Sequence, residues 1–410
     1  MVRPLFAALR SNPVLLWACL IIGVNQLGFG LILPVLALFA DSFGITKTAV
    51  GAVVSIYGLG RLLFGLPMGQ LADRIGRRRI VVVGGVLSAI GSVLCGLTES
   101  FEALLVYRFI GGTGAAMVIT GTQTILADIS TPANRGRMMS AYQGTFLFAV
   151  GIGPGFGGLI ADYFGYRAPF FAYAALGLAA GLVAFFGLPE TKEIASKTAR
   201  AAGGRTGSKA ALRQLLTSAG FMLICAISFV QAVARTGAVF AVVPLLAQMR
   251  LGLSPGEIGL PFTVASLLNL ATVPVSGILV DRFGRRPVIL PSQLLAGASF
   301  LIFAVAGSYP AFMAAAIVWG VAGGIGGAAP AAYAADLAPP GANGITMGTY
   351  RTLADVGYVV GPILLGLIAD LTGPVSALYF TLALFLVVVV LFYFLAPETH
   401  PKRAGSGVGV

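Results

Sequence analysis

Long runs of apolar residues, separated by short polar stretches, dominate the pattern along this chain of 410 residues. A helix of roughly 20 apolar residues spans a bilayer, because each residue adds about 1.5 Å and the hydrocarbon is about 30 Å thick. Backbone groups in lipid must bond internally, so the pattern predicts an all-α polytopic membrane protein with about twelve spans. We expect these spans at 14–39, 48–71, 80–97, 104–126, 138–161, 169–188, 220–247, 258–279, 288–307, 311–333, 347–370 and 375–395.

The composition supports a membrane location and explains the charge. The chain is 58% hydrophobic with a mean hydropathy of +0.94, which leaves too little polar surface for a water-soluble protein of this size. Most of the 26 Lys and Arg lie near the termini or in loops after even-numbered spans, whereas Lys47, Arg167 and Arg250 lie in the other loops. This asymmetry predicts a multi-pass protein of the plasma (inner) membrane with both termini cytoplasmic, and no nucleic-acid partner.

Two charged stretches reveal an internal repeat. GQLADRIGRRRI at 69–80 and GILVDRFGRRPV at 277–288 are 208 positions apart. The same shift pairs Asp128 with Asp336, Gly153-Pro154 with Gly361-Pro362, GLIAD at 158–162 with GLIAD at 366–370, and Pro-Glu-Thr at 189–191 with Pro-Glu-Thr at 397–399. One offset for all these anchors indicates two duplicated halves of six spans each, and an even number gives both the same orientation.

The repeat also predicts the domain organisation. We expect an amino-terminal six-helix bundle over residues 1–189 and a carboxyl-terminal six-helix bundle over residues 219–397. Residues 190–218, which are basic and rich in Gly, Ala and Ser, are typical of a flexible cytoplasmic linker. Residues 398–410 are expected to form a cytoplasmic tail.

The first charged stretch resembles the signature of the major facilitator superfamily. The residues that carry the resemblance are Gly69, Leu71, Ala72, Asp73, Arg74, Gly76, Arg77, Arg78 and Arg79. RFIGGTGAA at 108–116 and GPGFGG at 153–158 are similar to motifs of the drug:proton antiporter and tetracycline-efflux group, although Ala149 stands where that group usually has Gly. The resemblance covers essentially the whole chain. It implies the major facilitator fold, with proton-coupled efflux of small amphipathic compounds by alternating access.

The charged loops are the candidate cytoplasmic gate. By this resemblance, the Asp73 loop holds the cytoplasmic side of the eleventh span, and Arg77 pairs with Asp128 at the end of span four. The second copy comprises Asp281, Arg285 and Asp336. Such a gate stabilises one arrangement of the two halves and breaks in the other. The alternative is that these arginines only fix the membrane topology.

Five charged residues lie well inside predicted spans, where each costs several kcal/mol unless it is paired or hydrated: Arg61, Arg108, Arg235, Arg351 and Asp355. None has a charged equivalent in the other half, as expected for site residues. Asp355 is the only acid well within a span and is the first candidate for a proton carrier, although Arg351, four residues earlier on the same face, could neutralise it. The resemblance implies proton coupling for Arg108, with a structural hydrogen-bonding role as the alternative.

The resemblance also places a substrate cavity among spans one, four, seven and ten. Candidate cavity residues are Asn25, Gln26, Arg61, Gln231, Arg235 and Asn269, all of which could instead form helix-to-helix hydrogen bonds. Candidate hinge residues are Gly153, Pro154, Gly157, Gly158, Gly361 and Pro362. Because the spans contain four Arg and one Asp, we expect a neutral or anionic amphipathic substrate.

Other functions remain alternatives at this stage. An uptake symporter or uniporter for sugars or organic acids, and a non-transporting sensor or lipid-handling protein, are both consistent with the pattern. An enzyme is not expected, because the chain has no nucleophile–base–acid set and no phosphate-binding glycine motif. Cys19, Cys95 and Cys225 are scattered, so we expect no metal and no cofactor. We expect a monomer that binds a small molecule, protons and the lipid bilayer.

Overall fold

The computed structural model describes residues 13–131, 134–191, 208–339 and 342–399, and within these ranges every regular element is helical. Twelve helical stretches are long and apolar enough to cross a membrane, which confirms the predicted all-α polytopic fold. The first six helices are α1 (Pro13–Asp41), α2 (Lys47–Ile75), α3 (Arg77–Leu97), α4 (Phe101–Ile129), α5 (Arg135–Phe164) and α6 (Ala168–Gly187).

The second half begins with a short helix and then repeats the pattern. Its helices are α7 (Ser208–Thr217), α8 (Ala219–Val233), a π-helical segment (Ala234–Val242), α9 (Val243–Leu251), α10 (Pro255–Phe283), α11 (Arg286–Val305), α12 (Tyr309–Gly326), α13 (Ala329–Asp336), α14 (Asn343–Thr372) and α15 (Pro374–Leu395). Most of the predicted linker, at 192–207, and of the predicted tail, at 400–410, lies outside the described residues.

Three features differ from the simple expectation of twelve α-helices joined by loops. Span seven contains the π-helical segment between α8 and α9, and span ten breaks between α12 and α13. The break follows Gly326 and Gly327, and Pro330 lies in the first turn of α13, so residues that disfavour a helix interior surround it. Residues 208–217, predicted as part of a flexible linker, instead form α7, because Ala, Leu, Arg and Gln favour helix.

The chain forms two compact units, and each unit includes the start of one helix from the other half of the sequence. Unit 1 comprises Met1–Ile45, Ala52–Gly204 and Ser254–Thr263. Unit 2 comprises Thr46–Gly51, Arg205–Leu253 and Val264–Val410. The start of α2 therefore belongs to unit 2, and the start of α10 belongs to unit 1. The duplicated sequence did not predict this exchange.

In unit 1, α1 is buried on two sides. One side packs against α4 and α5, where Cys19 and Ile22 lie with Ile119 and Tyr142. The other side packs against α3, α4 and α6; its residues include Ile21, Val81, Val118, Ala180 and Ala184. Because lipid is as apolar as these side chains, close van der Waals packing holds such helices together.

In unit 2, small residues let α14 approach span seven. A methyl group added at Gly361 would lie 2.7 Å from the Cα atom of Val233, and one added at Gly237 would lie 2.7 Å from the carbonyl carbon of Gly361. Thr236, between them, donates its hydroxyl to the Ala232 carbonyl at 2.9 Å and to the Tyr358 carbonyl at 3.1 Å. The backbones of these helices are therefore in direct contact.

We predict that Gly112→Ala destabilises the protein. Gly112 of α4 faces the backbone of α2, and a methyl group there would overlap the carbonyl oxygen of Tyr57 and lie 2.9 Å from its carbonyl carbon. The free energy of unfolding should fall by about 1–3 kcal/mol, as for overpacked cores. Thermal unfolding of the purified protein in detergent micelles measures it. Gly144→Ala is the control, because no atom lies within 4 Å of the added methyl; equal losses in both variants would contradict the packing argument.

Candidate functional site

The charged loop of unit 1 holds a buried arginine between two acids. The Arg77 side chain is 4% exposed. Its guanidinium lies 2.5 Å from Oδ1 of Asp73 and 3.1 Å from Oδ2 of Asp128. Asp73 is 65% exposed and Asp128 is 12% exposed, so the more buried of the two ion pairs is the one with Asp128. These three predicted gate residues are thus brought together within one unit.

Two further residues complete this cluster, and in the sequence they stand out only as part of the repeated Pro-Glu-Thr. Glu190 accepts hydrogen bonds from the backbone N–H groups of Arg77 at 2.9 Å and Arg78 at 3.3 Å, which are the first amides of α3. Thr191 donates its hydroxyl to Asp128 at 2.8 Å. Because the first N–H groups of a helix lack intrahelical partners, Glu190 both satisfies them and complements the helix dipole.

Gly76 makes room for the Glu190 cap. Its φ is 111°, a conformation that favours glycine, and a side chain added there would collide with the Glu190 carboxylate. The glycine in the motif therefore permits the backbone conformation of the turn and leaves space for the Glu190 carboxylate. The signal for Glu190 in the sequence was its recurrence at the same 208-residue shift as Asp73.

The second charged loop repeats the arrangement in unit 2. Nε of Arg285 lies 2.7 Å from Oδ2 of Asp336. Glu398 accepts from the backbone N–H groups of Arg285 and Arg286 at 3.1 and 3.0 Å, and Thr399 donates to Asp336 at 2.9 Å. The turn residue Gly284 has φ 97°. Asp281, the remaining predicted gate residue, is exposed near the end of α10.

Arg108 is a buried cation that contacts an aromatic ring. Its side chain is 3% exposed, its guanidinium carbon lies 4.4 Å from the centre of the Tyr57 ring, and its Nε donates to the Val53 carbonyl at 3.5 Å. Within the described ranges, no carboxylate forms an ion pair with it. The Tyr57 ring also stacks on Phe29, and its hydroxyl lies 3.4 Å from that of Tyr173. The attraction between a cation and an aromatic ring stabilises the structure by about 2 kcal/mol when both groups are removed from water.

The candidate cavity residues fall into different environments. Asn25 is fully buried, and neither amide atom has a hydrogen-bond partner among the described residues. Gln26 is 4% exposed. Gln231 instead donates to Oε1 of Gln293 at 3.0 Å, the helix-to-helix hydrogen bond considered as the alternative from sequence. A buried amide without a partner costs about 1–3 kcal/mol, so Asn25 is the best of these candidates for contact with a bound molecule.

The other candidates are more accessible. Arg235 is exposed within the π-helical segment, and Arg61 and Asn269 are half-buried in α2 and α10. Short π-helical segments are frequent at functional sites. The amide nitrogen of Asn269 lies 2.5 Å from the position of a methyl group added at Gly323, so that glycine gives the amide its space.

The proton-coupling candidates Asp355 and Arg351 do not pair. Asp355 is half-buried on α14 and Arg351 is exposed one turn earlier. No ion pair joins them in the part of the chain that the structure describes. The mutual neutralisation considered from their spacing is therefore not formed, and the Asp355 carboxylate is not committed to Arg351.

The candidate hinge residues lie in close helix contacts. A methyl group at Gly153 would lie 2.5 Å from the Gly30 Cα atom, and one at Gly157 would overlap the Leu31 carbonyl; Gly158 packs in the same way on Pro255. Gly361 contacts Val233, as described above. Pro154 and Pro362 lie inside α5 and α14, which continue without a break. Bending at these positions stays a prediction.

No group of His, Cys, Asp or Glu that could hold a metal ion occurs among the described residues. Cys19, Cys95 and Cys225 are separate, buried and unpaired by disulfides. The sequence predicted no metal and no cofactor.

We predict that Asp128→Asn costs more stability than Asp336→Asn. Arg77 is 4% exposed beside Asp128, whereas Arg285 is 14% exposed beside Asp336. When the carboxylate is removed, Arg77 therefore has less access to water than Arg285. The free energy of unfolding should fall by about 2 kcal/mol in the first variant and about 1 kcal/mol in the second. Denaturant unfolding in mixed micelles measures both; a larger loss for Asp336→Asn would contradict the argument from burial.

The comparisons with known proteins agree with this architecture. The family model described as Major Facilitator Superfamily matches residues 18–254 and 224–409. An uncharacterized MFS-type transporter of Methanocaldococcus jannaschii is 22% identical over 95% of this chain and 99% of its own. Multidrug resistance protein 1 of Bacillus subtilis is 27% identical over 84% of this chain and 87% of its own. Quinolone resistance protein NorA of Staphylococcus aureus is 30% identical, over 41% of this chain and 43% of its own.

Solved structures show the same fold. A bacterial homologue of the human lysosomal transporter Spinster matches with a TM-score of 0.78 at 17% identity, over 95% of this chain and 97% of its own. The human organic anion transporter MFSD10 matches with a TM-score of 0.65 at 20% identity, over 92% of this chain and 98% of its own. The family match, the twelve spans and the duplicated charged loops together show that this chain is a multi-pass membrane transporter for small molecules and belongs to the Major Facilitator Superfamily.

Proposed function

We propose that this transporter exports small amphipathic molecules, neutral or anionic, in exchange for protons by alternating access. It acts as a monomer in the plasma membrane with both termini in the cytoplasm. Export is supported by the relatives named as multidrug and quinolone resistance proteins, which match over 84% and 41% of this chain. The cytoplasmic termini are supported by the excess of Lys and Arg in the loops after even-numbered spans.

The observation that carries the substrate class is the environment of Arg108. This guanidinium is 3% exposed and lies over the Tyr57 ring with no carboxylate pair among the described residues. A buried positive charge of this kind attracts a negative or strongly polar group of the substrate, while the aromatic rings accept its apolar part. A cationic substrate would be repelled. Asn25, whose amide has no partner among the described residues, supplies further hydrogen bonds.

Proton coupling is assigned to Asp355, with Arg108 and Arg351 as modulating charges. Asp355 is half-buried on α14 and forms no ion pair with Arg351 within the described ranges, so its carboxylate is available to bind a proton. Alternating exposure to the two sides of the membrane changes its hydration, and hydration sets the balance between the charged and neutral forms. The charged loops around Arg77 and Arg285 act as the cytoplasmic gate, and each loop moves as a rigid piece whose internal ion pair and helix cap stay closed.

We predict proton-driven transport of anionic amphiphiles in proteoliposomes. With an imposed pH gradient, the wild type should accumulate a fluorescent anionic amphiphile and a neutral one, but not a lipophilic cation. Asp355→Asn should reduce pH-driven accumulation at least about tenfold while leaving exchange of labelled for unlabelled substrate, because exchange needs no net proton movement. Glu99→Gln, at an exposed carboxylate in the loop before α4, is the control.

The possible results separate the alternatives. Full pH-driven accumulation in Asp355→Asn would remove that residue as the proton carrier. Preference for the lipophilic cation would overturn the substrate class. Movement of sugars or organic acids without a pH effect would favour the uniporter alternative, and no movement of any compound would favour a sensor or lipid-handling protein.

A matched pair of substitutions tests Arg108 itself. Arg108→Gln removes the charge, whereas Arg108→Lys keeps it but loses the planar contact with the Tyr57 ring. We expect Arg108→Gln to raise the KM for the anionic amphiphile at least about tenfold and to leave the KM for the neutral one nearly unchanged. Arg108→Lys should lie between the wild type and Arg108→Gln. An equal effect on both substrates would indicate that Arg108 has a structural role only.

A further inference from the structure

Two aspartates hold the first turns of two long helices, and neither belongs to the charged loops or to the candidate cavity. Asp162 ends the pentapeptide GLIAD in α5, and Asp370 ends the identical pentapeptide in α14. From the sequence alone, these pentapeptides were only evidence of duplication. The structure gives both aspartates the same kind of partner.

In unit 2, Asp370 binds the start of α2. Its Oδ1 atom accepts a hydrogen bond from the backbone N–H of Lys47 at 2.8 Å. Its Oδ2 atom accepts from the backbone N–H of Thr48 at 2.8 Å and from the Thr48 hydroxyl at 2.6 Å. These are the first amides of the helix, which have no intrahelical acceptor and carry the positive end of the helix dipole. We call this contact the Asp370 joint.

In unit 1, Asp162 binds the start of α10 in the same way. Both of its carboxylate oxygens accept from the backbone N–H of Gly256, at 3.2 and 3.1 Å. Pro255 occupies the position equivalent to Lys47 and has no N–H, and the Ser254 hydroxyl supplies the missing hydrogen bond at 3.0 Å. We call this contact the Asp162 joint. The same joint therefore exists twice, with different donors.

Glycines bring the backbones together at both joints. At each joint, two glycines face a carbonyl oxygen of the other helix, and a methyl group added to any of them would overlap that oxygen. In the Asp370 joint these are Gly51 against Pro362 and Gly366 against Lys47. In the Asp162 joint they are Gly259 against Pro154 and Gly158 against Pro255. The carboxylate hydrogen bonds and the backbone contacts thus form one compact surface at each joint.

At each joint, the capped helix is divided between the two units. Residues 46–51 of α2 lie in unit 2 while the rest of α2 lies in unit 1, and residues 254–263 of α10 lie in unit 1 while the rest lies in unit 2. We propose that Asp162 and Asp370 are paired latches that hold one state of the transport cycle and release their helix starts in the other. This inference rests on the proposed alternating access, because motion of one unit relative to the other acts on each joint through the remaining turns of α2 or α10, which belong to the other unit.

The chemistry of the joints suits repeated release. Both aspartates are exposed, so a freed carboxylate regains water at little cost. The freed helix starts keep local caps: the Thr46 hydroxyl accepts from the Ala49 N–H, and Ser254 and Glu257 form a reciprocal capping box. Each joint therefore adds a modest, reversible stabilisation to the state in which it is closed. The two joints together add twice that stabilisation.

Double electron–electron resonance tests the proposal directly. Spin labels at Ser42 in unit 1 and Leu371 in unit 2, both exposed, report the separation of the units in lipid nanodiscs after Cys19, Cys95 and Cys225 are replaced by alanine. We expect a short and a long distance population. Asp370→Asn and Asp162→Asn should each raise the ratio of the long to the short distance population about fivefold. The double variant should raise this ratio by roughly the product of the two single effects. Glu99→Gln, on the loop side shared with both joints, should leave the ratio unchanged.

Two further variants keep the test decisive if an aspartate variant does not fold. Thr48→Val removes only the hydroxyl donor and should raise the ratio about twofold. Gly51→Ala should raise it strongly, because the methyl group overlaps the Pro362 oxygen only while the joint is closed, and Gly348→Ala, with no atom within 4 Å, is its control. An unchanged ratio in all joint variants would overturn the latch. If the wild type moves no compound in proteoliposomes, the proposed function is wrong. The ratio of long to short distances still tests the latch independently of transport.

Discussion

The structure depends on one repeated interaction, in which a carboxylate from elsewhere in the fold caps the unpaired first amides of a helix. Glu190 caps α3 and Glu398 caps α11, while Asp370 caps α2 and Asp162 caps α10. An apolar chain in lipid offers few places where charge is favourable, and the start of a helix is one of them, because its N–H groups and dipole both attract an anion. Seven of the 14 acids of this chain lie at these caps or pair with the arginines beside them.

The four caps divide into two kinds according to what surrounds them. Those of α3 and α11 adjoin ion pairs, and in unit 1 the pair of Arg77 with Asp128 is nearly buried, so separation would leave a charge without water. Those of α2 and α10 come from exposed aspartates and hold helix starts that lie in the same unit as the aspartate, while the remaining turns of each helix belong to the other unit. We infer that the first kind keeps each unit rigid and that the second kind is the one that opens. The proposed alternating access requires both a rigid bundle and a releasable joint.

Much of the fold could be predicted from the sequence, because the length of apolar runs and the 208-residue repeat are direct consequences of bilayer thickness and duplication. The approach of Arg77 to Asp128 was also predicted, through a family resemblance, whereas the ion pair of Arg77 with Asp73 was not. The partners of Glu190, Asp162 and Asp370 were not, because a cap joins residues that are far apart in sequence and no local pattern marks it. Their recurrence at one shift was the available signal. The contact of Arg108 with Tyr57 and the missing pair of Arg351 with Asp355 depend on side-chain directions that spacing alone does not determine.

Hydrogen–deuterium exchange during turnover tests the central distinction between the two kinds of cap most directly. The wild type in proteoliposomes would be compared with and without a transported substrate and pH gradient, by mass spectrometry of peptides that contain each capped helix start. The account predicts faster exchange during turnover at Thr48 and Gly256, with unchanged protection at Arg77 and Arg285. Equal acceleration at all four helix starts, or acceleration confined to Arg77 and Arg285, would contradict it.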